Sequence, residues 1–196
     1  MTNKQILKVG FDLDGVILYN PIRIFRPIAA FLKPFVFGKK TNSFYFPKTS
    51  FEQWLWKILH KTSFCPAPGV EEIKELVRQN KIEAYLITSR YSFLKDEFNK
   101  WLKALKAKRY FKDCFYNKNN LQPDEFKKMA IKKLRLDVFV EDNWGVIQKL
   151  NSSIPETKIF WLTNPFDQFI PYQYTFPSLK KVVDGLIKKT AKNLAV

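Results

Sequence analysis

KVGFDLDGVILYN, residues 8–20, is an apolar run that ends in two carboxylates one residue apart, Asp12 and Asp14, followed at once by Gly15. Apolar residues without strict polar alternation mark a strand covered on both faces, the situation of a parallel sheet sandwiched between helices. In an open sheet of that kind ligands bind beyond the carboxyl ends of the strands. The two acids therefore stand where chemistry is expected.

Four further runs share the character of the first strand, read as ILKVGFDLD (6–14): EAYLITS (83–89), DCFYN (113–117), DVFVED (137–142) and TKIFWLT (157–163). Helical patterns separate most of them. PGVEEIKELVRQN (68–80) opens with Pro68 and Gly69, carries acids in its first turn, and sets Val70, Ile73, Leu76 and Val77 on one face. SFLKDEFNKWLKALKAK (92–108) has Ser92 as a cap and Phe98, Leu102 and Leu105 as its stripe. PDEFKKMAIKKLRL (123–136) and SLKKVVDGLIKK (178–189) repeat the scheme, and Ala191–Val196 is expected to fray. Strands alternating with helices imply right-handed crossovers and a Rossmann-like α/β fold with a five-stranded parallel sheet.

Between Asn20 and Thr62 the rhythm breaks. Residues 21–61 hold eight Lys or Arg against the single acid Glu52, and ten aromatics. Prolines 21, 27, 34 and 47 limit this stretch to short helices, the best formed being FEQWLWKILHK (51–61). It reads as a small, mostly helical insertion at 20–64 in a core built from 1–19 and 65–196.

The chain has 196 residues, 46% of them hydrophobic and 27% charged, which suits one compact domain with an insert. Its apolar runs fall short of the roughly 20 residues needed to span a bilayer. Lys8 and Asp12 interrupt the N-terminal apolar stretch, so no secretory leader is read there, and Cys65 and Cys114 lack metal or disulfide spacing and read as free thiols. A cytoplasmic protein is expected. Lys and Arg number 34 against 18 acids, a net charge of +16. Such a field attracts phosphates, nucleic acids or anionic lipid surfaces without choosing among them.

The predicted strand ends are acidic or hydroxylic: Asp12-Leu13-Asp14-Gly15, Thr88-Ser89 and Glu141-Asp142. Carboxylates gathered on one rim repel one another unless a cation neutralises them, and hard oxygen ligands with open positions favour Mg²⁺, which can also join a substrate phosphate. With these pieces the chain resembles the haloacid dehalogenase-like phosphohydrolase superfamily. The resemblance rests on D-x-D-G-V within Phe11–Val16, on YLITS ending in a hydroxyl at Thr88, on a lysine before the fourth strand, Lys127 or Lys128, and on the acidic pair Glu141-Asp142. Lys127 lies 14 residues before Glu141.

The chemistry of those residue types agrees with the resemblance. Asp12 is the candidate nucleophile, forming an aspartyl phosphate. Strand alternation points Asp14 to the same side as Asp12, where it can serve as general acid and then base. Thr88 and the lysine would hold the transferring phosphoryl oxygens. The resemblance further implies a metal held by Asp12, the Asp14 backbone carbonyl and Asp142, with Glu141 as a supporting residue.

For the substrate, residues 20–64 are expected to form a cap that sets selectivity. Arg23, Arg26 and Lys33 could receive phosphate, while Phe25, Phe44, Tyr45 and Trp54 could stack on a base. WLTNPFDQ (161–168) and TSR (88–90) are similar to stretches of the deoxyribonucleotidase-like branch, which implies a 5'-nucleotidase-like activity on nucleoside monophosphates. The alternative is a phosphatase or binding module for nucleic-acid ends or anionic membranes. His60, the sole histidine, is assigned a structural or surface role.

Overall fold

The computed structural model describes residues 6–21, 44–167 and 169–192. Arg23, Phe25, Arg26 and Lys33 lie outside the described residues, as do Gln168 and 193–196.

Six parallel strands form the main sheet: β1 (Leu7–Phe11), β4 (Ile82–Tyr91), β5 (Asp113–Asn117), β6 (Val138–Glu141), β7 (Lys158–Leu162) and β8 (Thr175–Phe176). Their spatial order is β5-β4-β1-β6-β7-β8, with Val9 in register with both Ala84 and Val138. The predicted sheet has five strands. The sixth, β8, is two residues long and is held on β7 by main-chain bonds such as Trp161 N–H to Tyr174 C=O, so it leaves no side-chain pattern to read. From β1 the chain builds outward through β4 and β5, then crosses back to place β6 on the other flank of β1. This reversal makes the C-terminal ends of β1, β4 and β6 the natural crevice of the fold.

Helices α1 (Ser50–Lys61), α2 (Val70–Arg78), α3 (Lys95–Ala104), α4 (Ala107–Tyr110), α5 (Pro123–Leu134), α6 (Trp144–Ser153) and α7 (Leu179–Lys192) complete the described structure. Strand alternation divides the core between the two faces of the sheet. Val9, Phe11, Val138 and Val140 pack with Ile73, Phe98 and Leu186 on one side, while Ile87, Phe139, Ile159 and Trp161 pack with Ile131, Ile147 and Leu150 on the other. No described helix is long and apolar enough to cross a membrane.

Three local differences from the sequence expectation have physical causes. The single helix expected over 92–108 is a 3₁₀ turn followed by α3 and α4, broken at Lys106, whose φ is +51°. Leu105 and Ala107 are both buried, and residues two apart point to opposite sides of a straight helix, so the break lets both reach the core. Helix α6, not expected, starts at Asn143, whose side chain accepts from Gly145 N–H, and buries Val146, Ile147 and Leu150. Helix α7 continues through Ala191 and Lys192, where fraying was expected.

The short strands β2 (Leu18–Tyr19) and β3 (Cys65–Pro66) pair antiparallel, Leu18 with Pro66 and Tyr19 with Cys65, and so bracket residues 20–64. Within the bracket α1 begins with a capping box: Thr49 Oγ1 accepts from Glu52 N–H, and the Glu52 carboxylate accepts from Thr49 N–H. Cys65 and Cys114 are free thiols.

Candidate active site

Four of the sequence-predicted residues sit at the ends of three adjacent strands. Asp12 and Asp14 follow β1, Thr88 lies in the last part of β4, and Asp142 follows β6. All four are buried, none more than 7% exposed. Asp12 is fixed through its backbone, its N–H donating to Val140 C=O on β6 at 3.0 Å, and through its Oδ1, which accepts from Leu13 N–H at 2.8 Å.

Lys127 reaches this rim from α5. It shares the inward face of that helix with Ala130 and Ile131, three and four residues on, and is 2% exposed. Its Nζ lies 3.0 Å from Asp12 Oδ2 and also bonds Glu141 Oε2. Of the two lysines that the sequence left open, Lys127 is the one against Asp12. The other oxygen of Glu141 accepts from the N–H groups of Asp142 and Asn143. Both oxygens of Glu141 are thus engaged in holding neighbours.

Electrostatics at Asp12 follow from this crowding. Burial raises its carboxyl; Lys127 opposes the rise, and Glu141, Asp142 and Asp14 add to it, leaving Asp12 pushed up to about 8. Glu141 is raised for the same leading reason, burial. Lys127 feels burial in the opposite sense, but Asp12 and Glu141 outweigh it and hold the ammonium above its ordinary value.

Carboxylate oxygens of Asp12, Glu141 and Asp142 lie within 4.8 Å of one another. Gly15 leaves room for them: its φ is +85°, and a Cβ there would stand 2.0 Å from Asp142 Oδ2. A hard-oxygen donor set around a gap that only glycine permits fits a Mg²⁺ ion. Asp12 and Asp142 are the residues that would hold it; Glu141 is bonded through both oxygens, to Lys127 and to the N–H groups of Asp142 and Asn143.

Asp14 stands in different company. Arg90 Nε donates to its Oδ2 at 2.8 Å and Arg90 Nη2 to its Oδ1 at 2.7 Å, a bidentate pair. Ser63 Oγ donates to Oδ1 at 2.7 Å, Asn20 Nδ2 donates to that Oγ at 3.2 Å, and His60 Nδ1 lies 3.4 Å from Oδ2. Burial acts to raise the Asp14 carboxyl, yet Arg90 first and His60 second outweigh it and hold the group well below the usual carboxylate range. The sequence reading missed this cluster. Arg90 lies one residue past the predicted end of the second strand, and β4 continues through it to Tyr91 across a register shift against β5. His60, assigned a structural or surface role, is delivered to Asp14 by the last turn of α1. Its contact spans 46 residues of chain, which no local pattern announces.

The aromatic residues proposed as stacking platforms are divided. Phe44 packs against α6, its N–H bonded to Gln122 Oε1 at 2.7 Å and its ring 5.1 Å below Lys149 Nζ. Phe46 stands edge-on to Tyr91, at the end of β4, with centroids 4.9 Å apart. Residues 44–46 therefore run across the rim from the start of α6 to the end of β4. Tyr45 turns outward, its hydroxyl donating to Glu52, while Trp54 is exposed and stacked on Phe51.

The fold has known counterparts in three dimensions. The chain is similar to a Thermotoga maritima protein assigned as a beta-phosphoglucomutase, with a TM-score of 0.57 and 16% identity over 93% of this chain and 99% of that one. It is similar to a family IA, variant 3 haloacid dehalogenase (HAD) hydrolase from Entamoeba histolytica, with a TM-score of 0.56 and 13% identity over 93% and 100%. A third likeness is CbbY from Rhodobacter sphaeroides in complex with phosphate, with a TM-score of 0.52 and 12% identity over 91% and 96%. The fold is that of the haloacid dehalogenase-like hydrolases. No protein-family model and no curated protein matches the sequence. The HAD-like fold thus stands on three-dimensional form, with a rim on which Asp12, Lys127, Glu141 and Asp142 converge around one gap.

Proposed function

We propose that the chain is a phosphomonoester hydrolase in which Asp12 attacks phosphorus as the P–O bond to the alcohol breaks and the alcohol departs, and water then cleaves the aspartyl phosphate so formed, releasing inorganic phosphate and restoring Asp12. The observation that supports this reading best is the convergence on Asp12: a buried carboxylate at the end of the central strand, with Lys127 Nζ at 3.0 Å and the Asp142 carboxylate close by. Asp12 and Asp142, with the Asp14 carbonyl, would hold Mg²⁺, which when bound supplies positive charge to the carboxylates and to the phosphoryl oxygens.

In this reading Asp12 is the group that forms the bond to phosphorus, and Lys127 steadies both it and the charge on the transferring group. Glu141 holds Lys127 in place. Thr88, buried at the rim, donates its hydroxyl to a phosphoryl oxygen. Asp14, kept ionised by Arg90, is suited to take the proton of the attacking water when the aspartyl phosphate is cleaved. Substrates are small phosphorylated molecules. The finer reading, nucleoside monophosphates, is supported by the aromatic strip 44–46 laid across the rim, with Phe46 and Tyr91 offering ring surface beside it.

The test is hydrolysis of p-nitrophenyl phosphate with Mg²⁺. The wild-type chain turns it over and Asp12→Asn abolishes turnover; equal rates in the two proteins would sink the proposal. A panel of nucleoside monophosphates against sugar phosphates then tests the finer reading, which falls if sugar phosphates are preferred.

A second reading, attachment of the chain to anionic membrane surfaces, is supported by α1. Phe51, Trp54, Leu55 and Ile58, at spacings of three, four and seven residues, are all exposed, and the chain carries a net charge of +16. Vesicles containing phosphatidylserine should retain the protein at low salt, and Trp54→Ser should weaken retention. Retention by neutral vesicles alone, or by RNA alone, would count against it.

A further inference from the structure

Arg90 Nη1 is a buried polar atom of the site to which neither the fold nor the mechanism above gives a role. The Arg90 side chain is 1% exposed, so its guanidinium has given up its water. Two of its nitrogens are satisfied by the two oxygens of Asp14. The third, Nη1, has no hydrogen-bond partner among the described residues. A buried donor of this kind costs on the order of 1–3 kcal/mol if left unmet, so it needs an explanation.

Neutralising Asp14 does not supply one. A single ammonium would balance that charge, and Ser63 and His60 already bond or flank the same carboxylate. What Arg adds over Lys is a rigid planar fork, in which fixing two nitrogens also fixes the direction of the third. The backbone places the fork well. Arg90 follows Thr88 by two residues on β4, its N–H donates to Thr88 Oγ1 at 3.3 Å, and the register shift between Thr88 and Tyr91 sits at this point of the strand. Shifts of that sort re-aim side chains near active sites.

Resting on the phosphatase reading, we propose that Arg90 is a substrate-contacting residue: Nη1 donates to a non-bridging oxygen of the phosphoryl group, and Asp14 serves as the brace that orients the fork. A phosphate is the acceptor that matches. It brings several oxygens to a positively charged buried donor and, unlike a water, offsets part of the charge. The rim would then present three donors to the phosphoryl group: Thr88, Lys127 and Arg90.

The experiment separates contact from brace. Vanadate, a phosphoryl mimic, is titrated with Mg²⁺ present into the wild-type chain, Arg90→Lys, Asp14→Asn and the double variant, each checked for retained fold by circular dichroism. If Arg90 touches the phosphoryl group, Arg90→Lys weakens vanadate binding tenfold or more, and does so again in the Asp14→Asn background. If Arg90 acts only through Asp14, the change in that background is under twofold, and the proposal is overturned. Should Arg90→Lys not fold, nitrogen NMR of the wild-type guanidinium decides: a shift of the Arg90 Nη signals on adding vanadate supports contact, and unmoved signals overturn it. A wild-type chain that neither binds vanadate nor hydrolyses p-nitrophenyl phosphate removes the phosphatase reading and this inference together. Hydrolysis that persists while the Arg90 arms fail removes this inference alone.

Discussion

Gly15 and Asp142 meet so closely that no side chain fits between them: a Cβ on Gly15 would stand 2.0 Å from Asp142 Oδ2, and its own backbone is left-handed, at φ +85°. Gly15→Ala therefore suffers twice, from a conformation that costs a non-glycine residue about 1–2 kcal/mol and from displacement of the carboxylate. The expected result is a fall in stability of about 1–3 kcal/mol by urea denaturation and loss of most Mg²⁺-dependent phosphatase activity. Wild-type stability and rate in this variant would show that the contact is slack.

Among the described residues, Lys127 is the one cation paired with both Asp12 and Glu141, at 3.0 Å from the former. Lys127→Met leaves two buried carboxylates facing each other and is expected to cost about 3–5 kcal/mol. Adding Glu141→Gln removes one of those charges and should return part of the loss. Chemical denaturation of the single and double variants measures both, and a double variant no more stable than the single one contradicts the assigned pairing.

Because Asp14 is held well below the usual carboxylate range by Arg90 and His60, it is ionised at neutral pH and has no proton to give a leaving group, which leaves it the water-activating step. With p-nitrophenyl phosphate, whose leaving group needs no proton, Asp14→Asn should still release one equivalent of nitrophenolate in a burst. Steady turnover should then fall by about 10²–10⁴-fold, as removal of a general base does. Absence of a burst, with phosphorus never transferred to the protein, would assign Asp14 to the first step instead.

The capping box of α1 gives a pH prediction. Thr49 N–H first, then the Tyr45 hydroxyl and Lys48 N–H, draw Glu52 down from its ordinary 4.5 to about 2. A lowered carboxyl contributes stability that is fully present above 4.5 and is lost as pH falls through about 2. Amide exchange in residues 50–61 should therefore quicken between those values while β1 and β6 stay protected. Glu52→Ala, which removes the acceptor, should exchange fast at every pH, and a flat wild-type profile would contradict the cap.

Much of the site was readable because a parallel sheet gathers strand ends on one rim. Once Asp12, Asp14, Thr88 and Asp142 were placed at strand ends, their proximity followed from topology. The choice between Lys127 and Lys128 was also present in the sequence, since Ala130 and Ile131 continue the inward face from Lys127. Arg90 and His60 were less accessible. One lies beyond a register shift, where strand periodicity no longer says which way a side chain points, and the other meets its partner only through the tertiary path of residues 20–64. Helix α6 was overlooked although Asn143 caps it and Val146, Ile147 and Leu150 share a face, because its ten residues carry none of the acid-first, lysine-last ordering seen in the other helices.

Asp14 draws its partners from two sources: Arg90 from the sheet, and His60 with Ser63 from the stretch between β2 and β3. Anyone grafting a relative's segment into that place to change substrate preference would also have to import a matching imidazole and hydroxyl. Swapping selectivity and preserving the acid's environment become a single engineering problem.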